Sequence, residues 1–166
     1  MFKLLDKLSH SLDKFCKVAG VLLLIIVAGA SIIQVFGRYV MGYSPVWAEE
    51  LSRYGFVWMN MLGAAILVKS KQHAVIDVAV AKLAGKAKKI HTMIIVILML
   101  VCALILVVYG NSILGVLFTQ ESPAMRIPMA IPYLAIPVAG VVMVVHCVSE
   151  IFRIVSLKAD VTLTQE

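Results

Sequence analysis

Residues 92–120 read TMIIVILMLVCALILVVYGNSILGVLFTQ and contain no Asp, Glu, Lys or Arg. As a helix this stretch would be about 43 Å long, which exceeds the roughly 30 Å hydrocarbon core of a bilayer. We therefore expect it to cross a membrane and to tilt or project beyond it. Three other stretches also lack these charges: residues 18–37, 54–68 and 127–149. The sequence thus predicts an all-α membrane protein with four transmembrane helices.

The boundaries of the membrane domain follow from these stretches. We predict a four-span domain over residues 18–155, with spans at about 18–39, 47–68, 91–118 and 127–150. Residues 156–166 would form a cytoplasmic tail. The last span contains Pro128, Pro132 and Pro137. Each proline removes a backbone donor, so we expect a kink there.

The first seventeen residues have their own pattern. Leu5, Leu8, Leu12 and Phe15 recur at helical spacing, and lysines and aspartates occupy most of the other positions. This pattern predicts an amphipathic helix over residues 1–17 that lies at the membrane surface. The alternative is that the segment only lengthens the cytoplasmic end of the first span.

Basic residues predict the orientation of the chain. Four lysines precede the first span and six lie between residues 69 and 89, whereas the other two connections carry few basic residues. Because cytoplasmic loops are enriched in Lys and Arg, we expect both termini and the 69–91 connection to face the cytoplasm. The loops at about 38–50 and 118–127 would then face outward.

The composition argues against several kinds of function for this chain. The chain is 62% hydrophobic and 14% charged, with a net charge of +6. Its basic residues flank the spans, so they serve orientation better than binding of nucleic acid, which we do not expect as a partner. The three cysteines are scattered, and their spacing predicts neither a disulfide framework nor a zinc site.

The turn into the second span carries the most distinctive charges. Ser44 can cap a helix that begins with Pro45. Arg53 lies four residues after Glu49 and three after Glu50, so either carboxylate can form an ion pair with it. The cluster either lets the helix tolerate charge at the membrane boundary or locks the turn to a partner.

Two further groups are candidates for structural anchors. His73 and Asp77 lie four apart after the second span and can share a helix face. No other ligand lies near them, so we expect an anchor for the cytoplasmic turn rather than a metal site. The segment from Ser122 to Pro128 includes Arg126 and again combines a capping serine with a proline.

The sequence lacks the residue patterns that are typical of ion coupling or catalysis. No acid or base lies in the middle of a span, where ion-coupled transporters place such groups. Sequence motifs of serine hydrolases, P-loop proteins and zinc proteases are also absent. We therefore expect no enzymatic activity, no catalytic residue, no bound cofactor or metal, and no transport by this chain alone.

Over residues 18–150 the chain resembles the small membrane subunit, of DctQ type, of tripartite ATP-independent periplasmic (TRAP) transporters. The resemblance rests on an ordered set of residues. They are Arg38, Trp47, Glu49, Glu50, Arg53, Tyr54, Trp58, Gly63, His73, Asp77, Ser122, Arg126 and Pro128. We expect these positions to have structural or partner-contact roles.

The resemblance implies a multi-pass protein of the bacterial inner membrane that scaffolds a separate large membrane subunit. That subunit would carry the sodium and substrate sites. A periplasmic substrate-binding protein would deliver an organic acid, such as a C4-dicarboxylate or sialic acid. Membrane lipid would surround the spans, and Gly63, Ala64 and Ala139 would contact the large subunit. The loop with Arg126 would touch the docked binding protein.

Two other classes stay open at this point. The first is a membrane subunit of a b-type cytochrome, with His91 and His146 as axial ligands. The second is a small exporter that assembles from copies of this chain. A Soret band or specific flux by the chain alone would identify them.

Overall fold

Four long helices make up the described part of the chain. A computed structural model describes the backbone of residues 2–43, 45–70 and 86–163, and the side chains of residues 5–43, 45–70 and 90–155. The helices are α1 (Phe2–Val40), α2 (Val46–Ser70), α3 (Lys86–Leu117), the short α4 (Ala130–Tyr133) and α5 (Ala135–Leu163).

Within the described ranges, four stretches are long and apolar enough to cross a membrane. They are Leu5–Val40, Val46–Ser70, Ile90–Leu117 and Ala130–Val155. The prediction of an all-α protein with four membrane-crossing stretches is therefore confirmed. The connection between α2 and α3, which contains His73 and Asp77, lies outside the described residues.

Helix α5 occupies the centre of the bundle and packs against α1, α2 and α3. Helix α2 also packs along α1. The apolar core between these helices consists of Cys16, Leu62, Ala65, Ala103, Val142 and Met143. Most of these side chains are small, so the bundle is held by close approach of helix backbones as well as by apolar volume.

Small residues bring α3 and α5 together. A Cβ added to Gly140 would lie 2.9 Å from Val107 Cγ2 and 3.2 Å from the backbone oxygen of Ala103. Ala135 and Ala139 are fully buried as well. The expectation that Ala139 contacts a partner subunit is therefore wrong, because this chain's own fold encloses it.

The first seventeen residues do not form a separate element, because α1 is one helix from Phe2 to Val40. Ser9, Asp13 and Cys16 of this segment are buried in the bundle. This packing favours the alternative in which the segment lengthens the first span. Its position at the membrane surface stays a prediction.

The last span is interrupted near its start. Leu134 separates α4 from α5, and its N–H donates to the carbonyl oxygen of Ala130 at 2.8 Å. Pro137 has no N–H and therefore cannot continue the backbone ladder at the following turn. The interruption agrees with the kink that the prolines predict.

Candidate functional site

The bundle has two ends with contrasting polar contacts. We call the end with the α1–α2 turn and the 118–129 loop the Glu50 end. We call the opposite end, where α1 and α3 begin and α2 ends, the His146 end. Most of the predicted site residues that the structure describes lie at the Glu50 end.

A compact turn joins α1 to α2. The backbone N–H groups of Met41 and Tyr43 both donate to the carbonyl oxygen of Gly37, at 3.2 and 3.0 Å. Gly42 has a φ of 65°, a conformation that glycine adopts without steric cost. A Cβ at Gly37 would lie only 2.7 Å from Tyr43 O. The turn therefore depends on both glycines. Ser44, the predicted cap, lies outside the described residues.

The two adjacent glutamates of α2 have different environments. Glu49 accepts a hydrogen bond from Arg53 at 2.9 Å, and both side chains are exposed. Glu50 is only 4% exposed and points into the protein. Sequence spacing allowed either glutamate to pair with Arg53, and the fold selects Glu49. Neighbouring positions of a helix face about 100° apart, which explains the separation.

Three donors surround the Glu50 carboxylate. Ser122 Oγ and the backbone N–H of Met125 donate to Oε2, and the backbone N–H of Ala124 donates to Oε1, each at 2.9 Å. We call these four residues the Glu50 clasp. Hydrogen bonds to a charged acceptor are about twice as strong as neutral ones. The clasp therefore holds the 118–129 loop firmly against α2.

The loop also has hydrogen bonds of its own. Ser122 N–H donates to Ile127 O at 2.9 Å, and Arg126 N–H donates to Ser122 O at 3.2 Å. Arg126 is exposed and has a φ of 51°, in the left-handed region. Met129 N–H donates to Gln120 O at 2.8 Å, beside the bridge between Glu121 and Pro128. These bonds close the loop, and Glu50 fixes the closed loop to α2.

Two aromatic residues extend the attachment along the same face of α2. Tyr54 donates its hydroxyl to Met129 Sδ at 3.4 Å. Trp58 donates its indole N–H to the carbonyl oxygen of Ile131 at 3.2 Å. Glu50, Tyr54 and Trp58 are spaced by four, so they share one helix face. That face fastens the segment that leads into the last span.

Other predicted site residues lie apart from the clasp. Arg38 is exposed near the end of α1, and Trp47 is exposed in the first turn of α2. Pro128 is partly buried in the loop. Gly63 is partly exposed, and no atom lies within 4 Å of a Cβ added there. His73 and Asp77 belong to the part of the chain that the structure does not describe.

The His146 end contains a polar network that the sequence did not reveal. Lys69 Nζ donates to Ser9 Oγ at 2.6 Å, and Ser9 Oγ lies 2.8 Å from His146 Nδ1. Lys69 can only donate, so Ser9 Oγ accepts from it, and the direction of the Ser9–His146 hydrogen bond depends on the tautomer of the imidazole. Ser9 and His146 are 137 residues apart, so no local pattern could have paired them.

Three buried atoms at this end have no hydrogen-bond partner among the described residues. They are His146 Nε2, His91 Nδ1 and Asp13 Oδ1, although Asp13 Oδ2 accepts a bond from Lys17 at 2.7 Å. A cavity of about 40 Å³ adjoins the network and is lined in part by Lys69, His146 and Ser149. Within the described ranges, no group of three His, Cys, Asp or Glu could hold a metal ion.

Comparison with known proteins places these contacts in a family context. The model of the family "Tripartite ATP-independent periplasmic transporters, DctQ component" matches residues 27–157. This range includes the whole Glu50 clasp. It begins after Ser9 and Asp13, so the α1 side of the His146 network lies outside the match.

Three curated relatives differ in how much of their own length this chain covers. The isethionate TRAP transporter permease protein DctMQ of Oleidesulfovibrio alaskensis is 26% identical over 89% of this chain, which spans only 24% of that protein. The sialic acid TRAP transporter small permease protein SiaQ of Vibrio cholerae is 28% identical over 78% of this chain and 75% of its own length. The C4-dicarboxylate TRAP transporter small permease protein DctQ of Rhodobacter capsulatus is 32% identical over 61% of this chain and 46% of its own length.

Proposed function

Because the chain belongs to the DctQ component family of tripartite ATP-independent periplasmic transporters, we propose that it scaffolds a separate large membrane subunit in such a transporter. Membership makes it a small permease subunit of a TRAP transporter. The proposal adds that the large subunit carries the sodium and substrate sites, while this chain performs no reaction and binds no substrate.

The observation that carries this proposal is the use of the Glu50 carboxylate. Both of its oxygens accept hydrogen bonds from the 118–129 loop. The neighbouring acid, Glu49, is paired with Arg53. The acids of α2 are thus engaged in holding the fold, as expected of a scaffold, rather than presented to a transported ion. The family match favours this role over the haem and exporter alternatives.

The remaining parts of the proposal concern substrate, binding protein and location. The relatives are named for isethionate, sialic acid and C4-dicarboxylate. These names support an organic acid as the substrate class, delivered by a periplasmic binding protein. We place the chain in the inner membrane with both termini in the cytoplasm. The Glu50 end then faces the periplasm, and exposed Arg126 lies where the binding protein docks.

The proposal is tested by removing the chain from cells that retain the other two components. Uptake of the organic acid should be lost on deletion and return when the chain is supplied again. The tagged chain, purified in mild detergent, should bring the large subunit with it. Full uptake without the chain, or specific flux through the reconstituted chain alone, would contradict the scaffold role.

A further inference from the structure

Helix α2 exposes one narrow seam. Beyond Trp47, its exposed side chains and the partly open Gly63 follow a spacing of four, three, four, three and four residues. The seam consists of Glu49, Arg53, Phe56, Asn60, Gly63 and Leu67. Alternating spacings of three and four place these residues on one face of the helix, the arrangement by which one helix packs along another. The described fold of this chain leaves this seam uncovered.

The seam carries a polar group deep in the membrane-crossing helix. Asn60 lies about 21 Å from the Val46 end of α2 and about 15 Å from the Ser70 end. Its amide nitrogen donates to the carbonyl oxygen of Phe56 at 2.8 Å. Its amide oxygen has no donor among the residues that the structure describes. Hydrocarbon supplies no donor, so a protein neighbour suits this face better than lipid.

The exposed faces of the neighbouring helices differ from the seam. In α1, exposed residues between 18 and 36 are all apolar, among them Leu22, Ile25 and Ile32. In α3, exposed residues between 94 and 108 are aliphatic side chains and Cys102, and the exposed polar residues Asn111 and Ser112 lie in the last two turns of the helix. Such faces are compatible with lipid tails. Of these three helices, only α2 therefore exposes a polar side chain, Asn60, near the middle of its membrane-crossing stretch.

We propose that the α2 seam receives one transmembrane helix of the large membrane subunit. The inference rests on the proposed function and specifies which face makes the contact. The partner helix presents a hydroxyl or amide donor at the depth of Asn60. It places a bulky apolar side chain at Gly63, where a Cβ would meet no atom within 4 Å. The Glu49–Arg53 pair is neutral overall, so the partner needs no net charge beside it.

Gly29 of α1 provides a matched control for Gly63. Both glycines are partly exposed in a membrane-crossing helix, and neither has an atom within 4 Å of an added Cβ. The tagged chain and the large subunit are coexpressed, purified in mild detergent and compared by the ratio of large subunit to chain. Gly63→Phe and Asn60→Leu should lower this ratio roughly tenfold, the effect of losing one helix–helix hydrogen bond or close contact. Gly29→Phe should leave it unchanged.

Cross-linking provides a test that does not depend on how the variants fold. A photoreactive benzoylphenylalanine in place of Leu67 should give an adduct with the mass of this chain plus the large subunit. An adduct of two copies of this chain, or with lipid alone, would overturn the proposed occupant. Wild-type ratios for both Gly63→Phe and Asn60→Leu would overturn the seam while the scaffold role stands. Failure of the wild-type chain to recover the large subunit would instead refute the scaffold role itself.

Discussion

At the Glu50 end a single buried carboxylate accepts three hydrogen bonds and one buried atom, Ser52 Oγ, lacks a partner, whereas at the His146 end three buried polar atoms lack partners among the described residues. Both ends join segments that are distant in the chain. The Glu50 clasp links α2 to residues more than seventy positions later. The network of Lys69, Ser9 and His146 links α2, α1 and α5.

This difference indicates where the bundle is rigid. A carboxylate that accepts three hydrogen bonds loses all of them together when the side chain is removed, and three loop donors are then left without an acceptor. The His146 network has fewer bonds and includes Lys69, which is only partly buried and can return to water. We therefore expect substitutions at the Glu50 end to have the larger effects.

The largest effect should come from Glu50→Ala. This variant removes every bond of the clasp, so the thermal unfolding temperature of the purified complex should fall by roughly 5–10 °C. Glu49→Ala is the matched control, because it removes only an exposed ion pair. Equal shifts for the two variants would contradict the contrast between these neighbours.

The same chemical change at both ends compares them directly. Glu50→Gln replaces one carboxylate oxygen with an amide N–H₂ group, which cannot accept a hydrogen bond from the loop. The thermal unfolding temperature should therefore fall by several degrees. Asp13→Asn should have a smaller effect, because Asp13 accepts one hydrogen bond, from exposed Lys17, and an asparagine oxygen can still accept it. Thermal unfolding of the two variant complexes checks the order. A larger loss for Asp13→Asn would reverse the comparison.

A smaller effect is expected from Ser122→Ala, which removes one of the three donors of the clasp. The expected cost is about 1–2 kcal/mol in the free energy of unfolding. Ser112→Ala is a suitable control, because the exposed Ser112 hydroxyl bonds only to Val108 O of its own helix. Denaturant titration of the two variants measures the difference. Indistinguishable midpoints would mean that the serine contributes little to the clasp.

The smallest effect concerns the backbone at Arg126, whose φ is 51°. Arg126→Val should cost at most about 1 kcal/mol, because a β-branched residue is more strained in this region than arginine. Arg126→Asn should be nearly neutral, since Asn tolerates the left-handed conformation. Limited proteolysis of the loop in the two variants would report the difference. Equal cleavage rates would show that the loop relaxes without cost.

Local patterns predicted the helices but not the contacts that assemble them. Charge-free stretches located all four spans, because a membrane-crossing helix must exclude most charges. Residue spacing alone allowed either Glu49 or Glu50 to form an ion pair with Arg53. The choice depends on which side of α2 meets the 118–129 loop, and that is a tertiary contact.

The two ends of α1 illustrate the same limit. Lysines around Ser9 and Asp13 resemble those of a surface helix, yet both residues are buried against the rest of the bundle. The hydrogen-bond partner of Ser9, His146, lies in another helix far along the chain. At the other end, the turn depends on Gly37 and Gly42, and no sequence pattern identified these two glycines.

Hydrogen exchange at the amides of Ala124 and Met125 tests the central claim most directly, which is that Glu50 holds the loop as a fixed part of the bundle. In the purified wild-type complex, a peptide covering these residues should exchange slowly, and Glu50→Gln should speed this exchange while leaving α3 and α5 protected. Fast exchange of the same peptide in the wild-type complex would contradict the claim.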